Sequence, residues 1–447
     1  MGLYTSLVSK FLFPVHEFLK RHNSVALRRQ MEEVQWWSAD HIAALQLQRL
    51  RELLQDVAIN VPYYRDLFAQ LDFDVACVQS IADLQRLPFL TKTDIRANTD
   101  QLRHVQAKGL TRFNTGGSSG EPLIFFIGNK RVSHDVAAKW RATRWWGVDI
   151  GDPEIVVWGS PIELGKQDRL KHWRDKMLRT QLLPAFEMSE SKLDQFIATI
   201  RSVKPRMLFG YPSALTHIAC HAQKRGMTMT DLGIKVAFVT SERLYDEQRS
   251  TISQVFDCKV ANGYGGRDAG FIAHECPSGS MHLTADDIVV EIVNDAGQVQ
   301  PQGVAGEIVV THLSTCDFPF VRYRTGDIGV LGATPCSCGR GLPLLQDIQG
   351  RSTDFVVAAD GTVMHGLSLI YIVRDIVGVQ SFKVVQETRA LTRVLLVVND
   401  SFAPDTVTHI ISGFKQRLGS EVSVVVDLVG NIPAEKSGKF RYIISHA

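Results

Sequence analysis

The run Thr115-Gly116-Gly117-Ser118-Ser119-Gly120 is where this chain could meet a phosphate. Glycines at 116, 117 and 120 let the backbone turn tightly and approach a ligand. The hydroxyls of Thr115, Ser118 and Ser119, with exposed N–H groups, can cradle phosphate oxygens. No Lys-Ser/Thr pair follows the last glycine, so the run is not a Walker A loop. Strand-like residues on both sides, Leu110–Phe113 and Leu123–Ile127, place it at a hairpin tip instead of a helix N-terminus. Taken alone, such a run also reads as a plain flexible turn.

A second set could hold a metal. Cys276 and His282 form Cys-x5-His, and Cys336 and Cys338 form Cys-x-Cys on a glycine-rich turn. Three thiolates and one imidazole match a tetrahedral structural zinc site of the Cys₃His class. His274 is the other histidine in reach, and free thiols on loops are the alternative. A closed four-ligand site has no open position for chemistry, so its expected role is to pin two β-rich loops. Cys77, Cys220, Cys258 and Cys316 are scattered, and seven cysteines cannot all pair within one chain. This usage suits a reducing compartment and a cytoplasmic location.

Further short motifs follow in order. They are Gly210-Tyr211-Pro212-Ser213, Thr240-Ser241-Glu242-Arg243, Asn262-Gly263-Tyr264-Gly265-Gly266-Arg267-Asp268, Arg322-Tyr323-Arg324-Thr325-Gly326-Asp327, Gly350-Arg351 and Ser437-Gly438-Lys439. With the Gly/Ser loop, this set resembles the adenylate-forming superfamily of acyl-CoA synthetases and adenylation domains. The closer resemblance is to the phenylacetate–CoA ligase branch, including its capsule-biosynthesis relatives. It extends from about Leu87 to the C-terminal lysine.

The resemblance implies an ATP- and Mg²⁺-dependent enzyme that turns a small carboxylic acid into an acyl-adenylate. A thiol, that of coenzyme A, then displaces AMP. Within it, Thr115 to Gly120 bind the ATP phosphates, Tyr264 stacks on adenine, and Ser241 and Glu242 border the adenine. Asp327 bonds the ribose hydroxyls, and Arg351 is a second nucleotide contact. Asn262 replaces an acid common in the branch. Asp268 stands where the superfamily usually has Glu for Mg²⁺ and the α-phosphate, one methylene shorter. Lys439 matches the adenylation lysine, with Lys436 as its rival, because a fixed ammonium offsets the repulsion between carboxylate and α-phosphate. Thr353 falls at the family's hinge. A similar Cys/His set in the branch supports structural Zn²⁺. The alternatives are a ligase with an amine or hydroxyl acceptor in capsule or secondary-metabolite synthesis, and a catalytically silent nucleotide- or zinc-binding interaction protein.

These residues need positioning elements. Residues 25–105 read mainly as helix, with breaks near Pro62 and Pro88. From Thr111, short apolar strands (Ile124–Ile127, Ile155–Trp158, Met207–Phe209, Val236–Val239) alternate with helical segments such as Lys192–Val203 and Pro212–Arg225. That pattern predicts α/β layering with a parallel-rich sheet, followed by a β-rich part containing Ile288–Val293 and Gly306–Thr311. After Gly350 a compact α+β unit is expected, with helices Leu367–Val377 and Asp405–Leu418. The organisation is thus 1–350, a large nucleotide- and carboxylate-binding domain with a helical part to about 110, and 351–447, a small mobile lid. The acid's pocket is expected from Trp140–Trp146, Gly210–Ser213 and the loops near Tyr264, with Trp145 and Trp146 themselves in core packing.

Composition excludes other classes. Of 447 residues, 45% are apolar and 21% charged, which argues against disorder. Lys plus Arg is 49 and Asp plus Glu is 47, so the net charge is 49 − 47 = +2. No bulk field favours nucleic acid. Leu3, Leu7, Phe11, Val15 and Phe18 recur at helical spacing, interrupted by Lys10, His16, Glu17 and Lys20. This predicts an amphipathic helix, packed on the main domain or lying on a membrane surface, and not a transmembrane span or signal peptide. Nothing in the sequence sets the oligomeric state, and a homo-oligomer is compatible with it.

Overall fold

Residues 236–240 are apolar except for the last, and all five are buried, as in a strand covered on both faces. That strand belongs to the central sheet of a chain known here from a computed structural model. It describes residues 2–114, 123–158, 169–185, 188, 190–333, 335–351, 355–360, 363–365, 367–373, 376–403, 405–432 and 443–447. Two compact units are present, with the main boundary between Gln349 and Gly350.

In the large unit, β1 (Thr111–Asn114) and β2 (Ile124–Ile127) form an antiparallel pair with Thr111 opposite Ile127, the hairpin expected around the Gly/Ser loop. Among the described residues eleven strands then share one sheet: β3 (Glu154–Trp158), β4 (Thr180–Pro184), β5 (Met207–Gly210), β6 (Val236–Thr240), β7 (Lys259–Gly266), β8 (Gly270–Glu275), β9 (Met281–Leu283), β10 (Ile288–Val293), β11 (Ala305–His312), β12 (Tyr323–Leu331) and β13 (Leu344–Arg351). Their spatial order is β10-β11-β12-β13-β9-β8-β7-β6-β5-β3-β4. Pairing is parallel from β4 to β7 and turns antiparallel at β7–β8. The expected β-rich part is therefore a continuation of the parallel sheet.

Helices Glu190–Val203 and Pro212–Lys224 bury Leu193, Phe196, Ile197, Leu215, Ile218 and Ala219 against the parallel half. Pro212 opens its helix at a position where the missing N–H costs nothing. Gly210 is required at the end of β5, because a Cβ there would stand 2.2 Å from the Val157 carbonyl oxygen.

The N-terminal helices are not a separate body. Ala39–Asn60, capped by the Ser38 hydroxyl, sends Ile42, Leu50, Leu53, Leu54 and Val57 into one core with Phe320, Tyr323 and Leu345 of the antiparallel half. Pro62 begins the next helix, Pro62–Gln70. The seam continues at Leu87–Leu90, where Leu90 N–H donates to the Arg322 carbonyl and Arg324 N–H to the Leu90 carbonyl, 3.0 Å each.

The small unit has β14 (Phe355–Val357) with β15 (Val363–His365), and a sheet of β16 (Val379–Thr388), β17 (Leu391–Val398), β18 (Ser423–Leu428) and β19 (Ile443–Ser445) in the order β18-β17-β16-β19. The buried Gln386 amide donates to the Val357 carbonyl at 2.7 Å and accepts from its N–H at 2.9 Å, tying hairpin to sheet. Helix Thr406–Leu418 covers the sheet with Ile410, Phe414 and Leu418. The other helix spans Leu367–Val373, shorter than expected, because Val377 and Gly378 turn into β16.

A buried ion pair locks the seam. Arg322 makes two 3.0 Å bonds to Glu291, donates to the Leu87 carbonyl at 2.6 Å, and lies 4.2 Å from the centre of the Phe89 ring. Burial raises the Glu291 carboxyl above its ordinary value, a cost that Arg322 only partly offsets. Glu291→Ala would leave the guanidinium buried and unpaired, so urea unfolding should register a loss of about 3–5 kcal/mol. A change under about 1 kcal/mol would show that the pair is dispensable.

Candidate active site and metal centre

The strand–turn–strand of β7 and β8 builds the densest group of candidate residues. Tyr264 lies opposite Ala273 and Gly265 opposite Phe271, so Ile272 is an extra residue and the ladder bulges beside Tyr264. A bulge bends the strand and re-aims its side chains, a device common next to active sites. Gly265 cannot carry a side chain, since its Cβ would fall 2.2 Å from the Gly270 carbonyl oxygen. A Cβ on Gly266 would reach within 2.6 Å of Asp268 Oδ1.

Asp268 is held from two sides. Its Oδ2 accepts a 2.6 Å hydrogen bond from the Tyr323 hydroxyl, and its Oδ1 accepts from Ala269 N–H at 3.1 Å. Beneath the turn the buried Arg131 donates to the Asp268 carbonyl at 3.3 Å and pairs with Asp135. Asp287 stands 3.2 Å from both His134 and His312. Burial pushes its carboxyl up, but the two imidazoles outweigh that and hold it well below the usual carboxylate range.

The β5 and β6 ends converge as well. Ser213 N–H donates to Glu242 Oε2 at 3.3 Å, joining the Gly210–Ser213 and Thr240–Arg243 segments. Ser241 has φ 71°, a left-handed conformation that a non-glycine residue adopts only under constraint. Tyr211 stacks on Trp158 with ring centres 4.4 Å apart. Asn262 N–H donates to Glu275 Oε2 at 2.8 Å, and Arg249 pairs with the same carboxylate.

The metal candidates come together from loops 60 residues apart. One ligand atom from each of Cys276, His282, Cys336 and Cys338 lies within 4.8 Å of the others. Cys276 and Cys336 sulfurs are 3.7 Å apart, close to the roughly 3.8 Å edge of a tetrahedron with zinc–sulfur bonds of about 2.3 Å. His282 Nε2 is 3.2 Å from Cys338 Sγ, while Nδ1 faces the Leu342 carbonyl at 3.3 Å, the outer-shell partner that fixes a ligating tautomer. Burial keeps both groups uncharged, pushing the Cys276 thiol up to about 11 and His282 down to about 4. This donor set fits a closed tetrahedral ion.

Comparison with known proteins gives two family matches, the AMP-binding enzyme family over residues 181–315 and the CapK C-terminal domain over residues 356–446. Protein CapK of Staphylococcus aureus is 24% identical over 406 residues, covering 90% of this chain and 89% of that protein. Phenylacetate-coenzyme A ligase of Thermus thermophilus is 26% identical over 334 residues, covering 73% and 74%. The chain is thus similar to the AMP-binding enzyme family and to phenylacetate-coenzyme A ligases. Its fold is that of a solved 2-hydroxyisobutyryl-CoA ligase in the postadenylation state, with TM-score 0.72, 21% identity, and 93% and 91% coverage.

Against the superfamily's motif set, the structure groups Tyr264 and Asp268 on the β7–β8 turn and Ser241 and Glu242 at the end of β6. Asn262 lies within β7, and Asp327 is partly buried on β12. Arg351 ends β13, and its side chain lies outside the described residues, as do Thr115 to Gly120, Thr353, Lys436 and Lys439. The choice between histidines is resolved, because His274 stands between Phe238 and Phe271 with ring centres 6.0 and 5.5 Å away, and His282 joins the cysteines. Trp140 is buried on Phe13 and donates to Asp149, while Trp145 donates to Gln35 and Trp146 to the Glu275 carbonyl. The three indoles are therefore committed to packing, Trp140 included.

Sequence reasoning missed Tyr323 and Arg131. Tyr323 lay inside a recognised motif, whereas nothing in sequence distinguishes Arg131 from a surface helix arginine.

His274 also sets a pH dependence. Neither ring nitrogen has a hydrogen-bond partner among the described residues, and burial first, then Arg141, pushes its pKa down to about 3. The unfolded chain binds this proton below about 6.5 and the folded one does not, so stability falls as pH drops through that range. At pH 5 the cost is about 2 kcal/mol. His274→Phe should flatten the pH 7.5-to-5 loss in denaturant unfolding by that amount, and an unchanged slope would exonerate His274.

Proposed function

We propose that this protein joins ATP to a small carboxylic acid and passes the acyl group to the thiol of coenzyme A. The observation that carries the reading is the β7–β8 turn, where Tyr264 sits beside a bulge and Asp268 is steadied by Tyr323. In the first step a carboxylate oxygen attacks the α-phosphorus, and the bond to the bridging oxygen of the β-phosphate breaks. The products are acyl-adenylate and pyrophosphate. In the second, the thiolate attacks the acyl carbon and AMP departs with the electron pair.

We assign Thr115–Gly120 to the phosphates, Tyr264 to the adenine face, and Ser241, Glu242 and Asn262 to its border. Asp327 takes the ribose hydroxyls, Arg351 a second nucleotide contact, and Lys439 the charge between the two approaching anions. The Asp268 carboxylate keeps lone pairs beyond its two bonds and would hold Mg²⁺, which when bound neutralises the leaving pyrophosphate. A hinge at Thr353 would turn the small domain between the two steps.

A second reading has support of its own. The match to CapK extends over 90% of the chain, against 73% for the ligase relative, and the small domain matches the CapK C-terminal model. An amine or hydroxyl acceptor in polymer synthesis would suit that likeness.

Carboxylate-dependent pyrophosphate exchange over a panel of aromatic, aliphatic and amino acids tests the first step, and thioester formation with CoA tests the acceptor. Exchange should appear with one class of acid and fall at least about 100-fold in Lys439→Ala, while supplied acyl-adenylate is still consumed. Absence of exchange across the panel would favour a silent nucleotide-binding scaffold.

We also propose that Cys276, His282, Cys336 and Cys338 hold one structural zinc. Elemental analysis should find about one zinc per chain, and chelation should lower the melting temperature. A metal-free chain with an unchanged melt would rule the site out.

A further inference from the structure

The N-terminal helix has two apolar faces, and the body of the protein uses only one. It runs through Leu3–Leu7, a π turn Val8–Leu12 and Phe13–Leu19. Its inner face is fixed: Thr5 donates to Asp152, Val8 packs against Gly151, Phe13 meets Trp140 edge-on, and the buried Glu17 accepts from Ser24. The opposite face carries Leu3, Leu7, Phe11, Val15, Phe18 and Leu19, of which Leu3 is 94% exposed and Phe18 80%. Eight of the seventeen exposed large hydrophobic residues among the described residues fall within this one helix. The clustering makes the face a patch and not a scatter of single surface residues.

The exposed charge along this stretch of chain has one sign. Between residues 2 and 31 the only carboxylate is Glu17, which is turned inward toward His16 and His22. Lys10, Lys20, Arg21 and Arg29 are exposed on the same stretch. Tyr4 donates to the Met177 carbonyl and lies under Arg179, so the exposed Arg179 adds a cation at the other end. The chain as a whole is almost neutral, so this local excess is a property of the face.

We propose that this face docks on an anionic phospholipid surface, with the helix lying in the plane of the headgroups. An apolar stripe rimmed by lysine and arginine fits that surface, since the side chains enter the acyl boundary while the cations meet lipid phosphates. A second copy of the chain fits worse, because a self-complementary contact through this stripe would bring two faces with the same excess of cations together. The helix is held by inner-face contacts already made, so docking needs no unfolding of the body.

The test uses the full chain with sedimented vesicles of phosphatidylcholine alone or containing a third phosphatidylglycerol. Binding is expected to the anionic vesicles only, to weaken at least about 10-fold from 50 to 500 mM salt, and to fall at least about 10-fold in Phe11→Ser/Phe18→Ser. Both phenylalanines are exposed, and an unchanged melting curve for the variant confirms that its body is intact. No binding to anionic vesicles would overturn the proposal, as would binding that the double variant retains. A dimer in light scattering that the double variant abolishes, without vesicle binding, would assign the face to a second copy instead.

Discussion

A guanidinium taken out of water must be paired, and at Arg322 that requirement organises the large unit. The charge is satisfied by Glu291 on β10, by the Leu87 carbonyl from the helical segment, and by the Phe89 ring. Two parts of the chain, far apart in sequence, are therefore bound to one residue. Because removing Glu291 strands a buried charge, the arrangement is discrete instead of gradually deformable. The next residue, Tyr323, is fully buried, so its hydroxyl can point only where the pair sets it, at Asp268. The ion pair and the candidate acid are thus one mechanical unit.

Around that unit the site is shaped more by excluded volume than by charge. Gly210 and Gly265 are positions where any Cβ would strike a carbonyl oxygen, so close strand approach forms the floor. Ser241 accepts an unfavourable left-handed backbone, worth about 1–3 kcal/mol, and persists because the β6 strand and the Glu242–Ser213 bond hold both sides. Strain at that place brings two candidate-site segments together at the ends of neighbouring parallel strands, where open α/β sheets put their crevices.

The metal candidates follow a different logic. Their loops, after β8 and before β13, have little apolar surface to hold them. The Cys336–Cys338 turn rests on Gln35–Trp37 through the Gly341 N–H and through Arg340, which stacks on Trp36 and Trp145. Crosslinking four side chains across that seam would stiffen the platform carrying β8 without entering the chemistry.

The order and type of elements was determined by the sequence, because apolar period and turn chemistry are local. The β1–β2 hairpin, the buried strands at 207 and 236 and the helix opened by Pro212 all lie where the residues put them. The Cys/His set was equally legible, since few residue types bind zinc and their spacing survives folding. Only the tertiary structure could choose His282 over His274, since both precede or follow Cys276 closely and burial beside Phe238 and Phe271 separates them. The same holds for the commitment of Trp140 to packing, the continuity of the eleven-stranded sheet, and the roles of Arg131 and Tyr323. Each depends on how separate elements pack, which no local pattern records.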